Sequence, residues 1–293
     1  MAVIQNELAL PVAPARPNPV WRYVRRHPTI IIGGVLLLLM IAMALFAPWL
    51  GTTDPQALSP IKRLKWPSAE YWFGTDMLGR DVYSRTIYGA RVSLTVGISV
   101  ALFSTALGLA IGVVTGFTRW VDSIVMRIMD GLMSIPPVLI AIALMALTRA
   151  SLQNVVFAIT VAEVPRVTRL VRGVVLTLRE QPYVEAAVAS GTGFTRTLWR
   201  HIVPNTLPPL LVQGTFIAAS AMITEAILSF IGAGTPPNIP SWGNIMAEGR
   251  SLFQVAYYIV LFPGIMLSLA VLGINLLGDG LRDALDPRLA RRL

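Results

Sequence analysis

The chain contains no cysteine and only two histidines, His27 and His201. The first absence excludes disulfides, thiol catalysis and Cys-ligated metals, and it leaves the redox compartment open. Lysine is nearly missing too. Lys62 and Lys65 are the only two, and neither follows a glycine, so no P-loop lysine can cradle a nucleotide phosphate. Neither His-Glu-x-x-His nor Gly-x-Ser-x-Gly occurs. Charged residues make up only 13% of the chain, and no internal repeat is visible. A membrane-embedded enzyme would need clustered catalytic groups, and a bare metal site several His, Asp or Glu at close quarters. Neither is apparent, so the expectation is a conduit without catalytic residues, cofactor or metal, energised from elsewhere.

What is present is apolar. Hydrophobic residues form 55% of the chain, the mean hydropathy is +0.66, and the apolar residues come in runs long enough to cross a bilayer. About 20 such residues, at about 1.5 Å each, cover a hydrocarbon core of about 30 Å. The expected fold is all-α and polytopic, in contact with lipid. Six spans are expected, at Ile30–Leu50, Val92–Phe117, Met129–Leu147, Asn154–Val164 running on into a longer helix, Leu207–Ile231 and Val255–Leu277. The first has small residues near its end, like a signal peptide, but its basic tail and its core are too long for one, so a retained anchor is expected. Net charge is +9. No basic run is interleaved with aromatics, which argues against nucleic acid as a partner; arginine here marks loops on the cytoplasmic side. With both termini inside, 16 of the 24 basic residues fall inside. Six of the rest crowd into the 51–91 loop, against that rule, partly offset there by Asp54, Glu70, Asp76 and Asp81.

Residues 165–205 form the one long basic stretch between apolar segments. Arg166, Arg169, Arg172 and Arg179 share one side of a helix, suited either to lipid phosphates or to a docking site. Gln181-Pro182 then opens a short helix, since proline is tolerated at the first helical position. Tyr183, Ala186, Ala187 and Ser190 give it a small, shallow face. Gly191 and Gly193 break it, and a second short helix from Phe194 to Ile202 is expected to end at Pro204. Within this stretch stand Glu185-Ala186-Ala187, then Gly191, then Pro204. The spacing resembles the EAA loop of ABC importer permeases, with His201 and Val203 in place of its usual Ile and Leu.

Further motifs extend that resemblance. Phe73-Gly74-Thr75-Asp76, Gly79-Arg80-Asp81 and Ser84-Arg85 are similar to the pattern before the core of dipeptide/oligopeptide-type permeases. So are Thr235-Pro236-Pro237, Pro240-Ser241-Trp242-Gly243 and Glu248-Gly249-Arg250. Together they point to the OppC/DppC type, the second of two paired permeases, over roughly residues 20 to 290. The resemblance implies a bacterial inner-membrane subunit: a cytoplasmic tail (1–28), a first transmembrane helix (29–50), an extracytoplasmic loop (51–90), a five-helix type I permease core (91–281) and a cytoplasmic end (282–293). It implies a homologous second permease, two cytoplasmic ATPases that bind the ATP, and an external substrate-binding protein. The loop of Glu185, Ala186, Ala187, Gly191 and Pro204 would couple to the ATPase, and alternating access would move the cargo. Peptides are the first expected cargo, with nickel complexes, glutathione or other small solutes as alternatives. A self-sufficient channel or ion-coupled transporter is the rival from another class.

Other residues stay open between two readings. Asp76/Arg80 and Asp81/Arg85 stand four apart, which would pair them on a solvated helix surface. Pro136-Pro137 either kinks the third span or serves the pathway. Glu225 and Asn275, polar within apolar spans, must face protein or water; each is either a structural hydrogen-bonding group or part of the pathway or gate. Asp279, Arg282, Asp283 and Asp286 extend the last span, with Arg282/Asp286 expected to pair.

Overall fold

The computed structural model describes residues 28–285. The expected cytoplasmic tail before Pro28 and the Arg282/Asp286 pair lie outside the described residues. The helices are α1 (Pro28–Leu45), α2 (Val82–Phe117), α3 (Arg119–Met133), α4 (Pro137–Ala146), α5 (Leu152–Arg179), α6 (Pro182–Ala189), α7 (Phe194–Thr197), α8 (Val203–Phe230), α9 (Trp242–Gly249) and α10 (Tyr258–Leu285). Among the described residues the only β pairing is an isolated bridge between Thr75 and Asp81, so the all-α expectation holds.

Helices α1, α2 and α10, and the run from Phe194 to Phe230, are long and apolar enough to cross a membrane. Joined α3 and α4 would make a fifth span. The arginines in the second half of α5 keep it out of that set. The expected third span is therefore corrected. It begins earlier, at Arg119, and breaks between Met133 and Pro137 with a 90° bend. Ring nitrogens at Pro136 and Pro137 cannot donate to the preceding turn, so the helix stops and restarts. The second span also starts earlier, at Val82, because Asp81 supplies a proper N-cap. Its carboxylate accepts from the Ser84 N–H at 2.9 Å. Ser151 and Ser241 cap α5 and α9 in the same way.

The centre of the fold is a close seam between α2 and α5. Gly108, Gly112 and Gly116 repeat every four residues on one face of α2, and Val167, Val171 and Val175 of α5 sit over them. A methyl group added at these glycines would stand 2.4, 2.7 and 2.5 Å from the valine side chains. Without a hydrophobic drive between helices in lipid, such small-residue grooves are how backbones pack. The seam sets α2 parallel to α5. Met222 and Ala218 of α8 meet Gly97 from the opposite direction, while Gly33 and Gly273 join α1 to an antiparallel α10. Pro28, Leu285 and the 180–202 segment consequently share one end of the bundle, and the 46–81 and 231–257 segments share the other.

Candidate functional site

At the first of these ends, α6 hangs between α5 and α8. Pro182 occupies its first turn, and buried Val184, 2% exposed, pins it to the bundle. Tyr183, Glu185, Ala186, Val188 and Ser190 face outward, and Ala187 is half-buried. The helix closes with the Thr192 N–H donating to the Ala187 carbonyl at 3.0 Å and the Gly191 N–H to that of Val188 at 2.9 Å. This is a Schellman cap, which needs a left-handed residue where Gly191 stands, at φ +79°. Nothing among the described residues lies within 4 Å of a Cβ built there. Backbone conformation alone explains this glycine.

Pro204 does not end the second short helix. Helical backbone runs on from α7 through a π turn, Leu198–Ile202, into α8. The extra residue in that turn leaves a place for a proline, and Pro204 lies in the first turn of α8. Phe194 and Trp199 are exposed beside α6, at 57% and 66%. Phe117 touches the edge of the Phe194 ring with centroids 5.0 Å apart.

The basic face of α5 has partners inside the chain. Arg172 clasps Asp122 with both Nε and Nη2, the latter at 2.6 Å. Arg169 pairs with Asp130, and Arg166 reaches Glu163 at 3.3 Å. Asp122 and Asp130 both stand on α3, separated by two turns, while their partners Arg172 and Arg169 stand one turn apart on α5. Arg179 donates to the Gly116 carbonyl at 3.2 Å, at the foot of the seam.

At the opposite end the two outer segments are locked by buried charge. Asp76 and Arg85 are each 1% exposed. Asp76 Oδ2 accepts from Arg80 Nε at 2.6 Å and Arg85 Nη1 at 2.5 Å, and Glu248 Oε2 meets both arginines at 2.5 and 2.6 Å. The Asp76/Arg80 pair is as expected but buried rather than solvated. The Asp81/Arg85 pair is not formed, because Asp81 caps α2 while Arg85 turns to Asp76 and Glu248. Arg91 donates to the Ala44 carbonyl at 2.5 Å, capping the end of α1. Lys62 meets Glu70 at 3.1 Å. Arg80, Arg85, Arg91 and Lys62, four of the six basic residues that crowd this loop, are therefore committed to structure.

Glu225 is fully buried in α8; its Oε1 accepts from Ser229 Oγ at 2.8 Å and Oε2 has no hydrogen-bond partner among the described residues. The carboxylate faces protein, away from lipid. Pro136 is exposed at the N-cap of α4, and Asn275 is half-buried on α10. The three are not brought together.

Residues 104–291 match the family model described as binding-protein-dependent transport system inner membrane component, and residues 19–67 match the N-terminal TM domain of oligopeptide transport permease C. The chain belongs to this permease family. It is 54% identical over 275 residues to "Probable peptide ABC transporter permease protein y4tQ" of Sinorhizobium fredii, covering 94% of each chain. It is 40% identical to the dipeptide transport system permease DppC of Alkalihalophilus pseudofirmus, covering 92% of this chain and 89% of that one. The glutathione transport system permease GsiD of Pectobacterium atrosepticum is 39% identical, over 92% and 90%. Among solved structures, a chain of the MetNI methionine ABC transporter, inward facing, shares the fold at TM-score 0.54 and 22% identity, covering 69% of this chain and 96% of that one.

Sequence reasoning about this permease missed Asp122 and Asp130 as the partners of its arginines. The available signal was two aspartates on one face of a strongly amphipathic helix, with arginines two helices later. It also missed the glycine repeat at 108, 112 and 116, legible as a small-residue stripe.

Proposed function

We propose that this chain is one of two homologous permeases of a peptide importer in a bacterial inner membrane, with both termini cytoplasmic. Two ATPase subunits drive it by binding ATP at their own sites, and an external binding protein delivers the peptide. The chain carries no ATP site of its own. The observation that supports this most is α6: a short helix held at the bundle's end by one buried side chain, exposing its own Val188 and flanked by exposed Phe194 and Trp199. Such a knob can seat in a cleft of a moving partner. α5 enters it directly and α8 leaves it, so a push on α6 reaches both the seam and the span that carries Glu225. Peptide as cargo rests on the relatives named for peptide and dipeptide transport; the glutathione permease at 39% identity makes a thiol tripeptide the second reading.

The test is purification of the complex from its native membrane in mild detergent, followed by ATP-driven uptake of labelled di- and tripeptides and of glutathione. A second permease, P-loop ATPases and a peptide-loaded binding protein are expected. A homo-oligomer without ATPase that conducts by itself would overturn the reading. Within a complex that assembles, replacing Glu185 and Gly191 by bulky residues is expected to abolish uptake. Normal uptake would remove α6 from the coupling role.

A further inference from the structure

The α2–α5 seam fixes how deep the arginines of α5 lie. Val167 sits on Gly108. At about 1.5 Å per residue, Gly108 lies about 16 Å along α2 from Arg119 and about 25 Å from Arg91, inside a hydrocarbon layer of about 30 Å. Arg166 and Arg169 flank Val167, so they lie at that depth. Yet their side chains are 49% and 50% exposed, and Asp130, paired with Arg169, is 58% exposed. Charged groups at this depth do not face lipid; they face protein or a water-filled cavity. The lipid-facing alternative is present at the same level of α2, where half-exposed Leu107 and Phe103 offer only hydrocarbon.

A further feature favours water over a dry protein contact. Arg166 with Glu163 and Arg169 with Asp130 form a neutral set, already paired within the chain. Sealing such pairs in a dry interface would strip hydration from Arg166, Arg169 and Asp130, which are half exposed, with nothing left to compensate it. A hydrated wall of alternating charge offers both signs to a passing ion without holding it tightly.

We propose that the face of α5 bearing Arg166 and Arg169, with Asp130 of α3 opposite, lines the aqueous passage of the assembled importer and meets the charged ends of a zwitterionic cargo, while Glu163, 3% exposed, holds Arg166 from within the bundle. This rests on the importer reading above. It moves the pathway away from Glu225, which is sealed inside the bundle, and onto residues first noticed only as a basic face near the coupling segment.

Because the chain has no cysteine, single cysteines can be placed without background. Arg166→Cys, Arg169→Cys and Leu107→Cys would be exposed to a charged, membrane-impermeant methanethiosulfonate in the purified, transport-competent complex in proteoliposomes. Gly173→Cys serves as a second probe. It lies on the same face of α5, has open space around its Cβ, and leaves every ion pair intact should the arginine variants fail to assemble. The expected result is modification at whichever arginine positions assemble at least tenfold faster than at Leu107, and at Gly173, which the seam places level with residue 114 of α2, at least tenfold faster than at Val114→Cys, 49% exposed there. Rates equal to those of these depth-matched controls would overturn the proposal, whether lipid or the second permease covers the face. A complex that lacks ATPase or does not transport defeats the importer reading instead. A transporting complex with inert cysteines defeats only the passage assignment.

Discussion

Asp76→Asn is the most informative perturbation of the outer clasp. Asp76 is 1% exposed and accepts from two arginine side chains and from the backbone N–H groups of Leu78 and Arg80, at 2.8 and 2.9 Å. An asparagine keeps the shape but removes the charge, leaving Arg80 and Arg85 to share Glu248 alone. Breaking a buried pair by removing one partner costs about 3–5 kcal/mol. The lower end applies here, about 3 kcal/mol, because Glu248 remains and is itself 28% exposed. At about 1.4 kcal/mol per tenfold, the clasp should open about a hundred times more often. The assay is tryptic cleavage after Lys62, Arg63 and Lys65, in the segment the clasp holds down, because cleavage follows the opened population when reclosing is fast. Glu70→Gln, which removes only the exposed partner of Lys62, should leave the rate unchanged. Adding Arg85→Gln to Asp76→Asn restores neutrality and should recover part of the loss. Cleavage of Asp76→Asn within threefold of the parent would refute the view that buried charge holds the loop, rather than the packing of its Leu64 and Phe73 against the buried cluster of Val82, Ile245, Tyr258 and Ile259.

Three further outcomes are expected. Gly191→Ala should destabilise the Schellman cap by about 1–2 kcal/mol, the cost of placing a Cβ in the left-handed region, and lower coupled uptake more than complex yield. Gly191→Asn should lose less, and equal uptake by all three proteins would show that the cap is dispensable. Gly112→Val puts side-chain atoms where even a Cβ lies 2.7 Å from Val171, so it should cost about 1–3 kcal/mol by overpacking and lower the thermal midpoint of the detergent-solubilised complex; an unchanged midpoint would contradict the seam. Glu225→Gln should leave thermal stability and uptake at parental levels, since an amide can still accept from Ser229; loss of uptake alone would return Glu225 to the transport route.

Much of the 181–191 segment was legible because its determinants are local. A proline at the first helical position and a glycine at the left-handed cap act over a single turn, and both fell where the spacing placed them. The continuation past Pro204 was not legible, since a π turn has no composition of its own. Ion pairs divided along the same line. The Asp76/Arg80 pair is local and was found, whereas Arg85 chooses Glu248, remote in sequence, over its neighbour Asp81. Helix capping competes for the same carboxylate that the four-residue spacing assigns to pairing, and only the fold decides between them. The broken third span illustrates the limit of hydropathy: an apolar run does not reveal that two consecutive prolines turn it through a right angle.

The glycine–valine seam has a mechanical consequence. Its three notches recur at one-turn intervals on both helices, so it works as a toothed rail. Tilting α5 away from α2 opens a void along its whole length, and sliding it by a fraction of a turn drives valine methyl groups against the ridges between glycines. Only a full-turn step re-seats the teeth. Any force delivered at the foot of α5 is therefore carried by α2 as well, and from the foot up to Pro165 of α5 the pair moves as one stiff beam, with its compliance left to that proline and to the proline-broken segments around it.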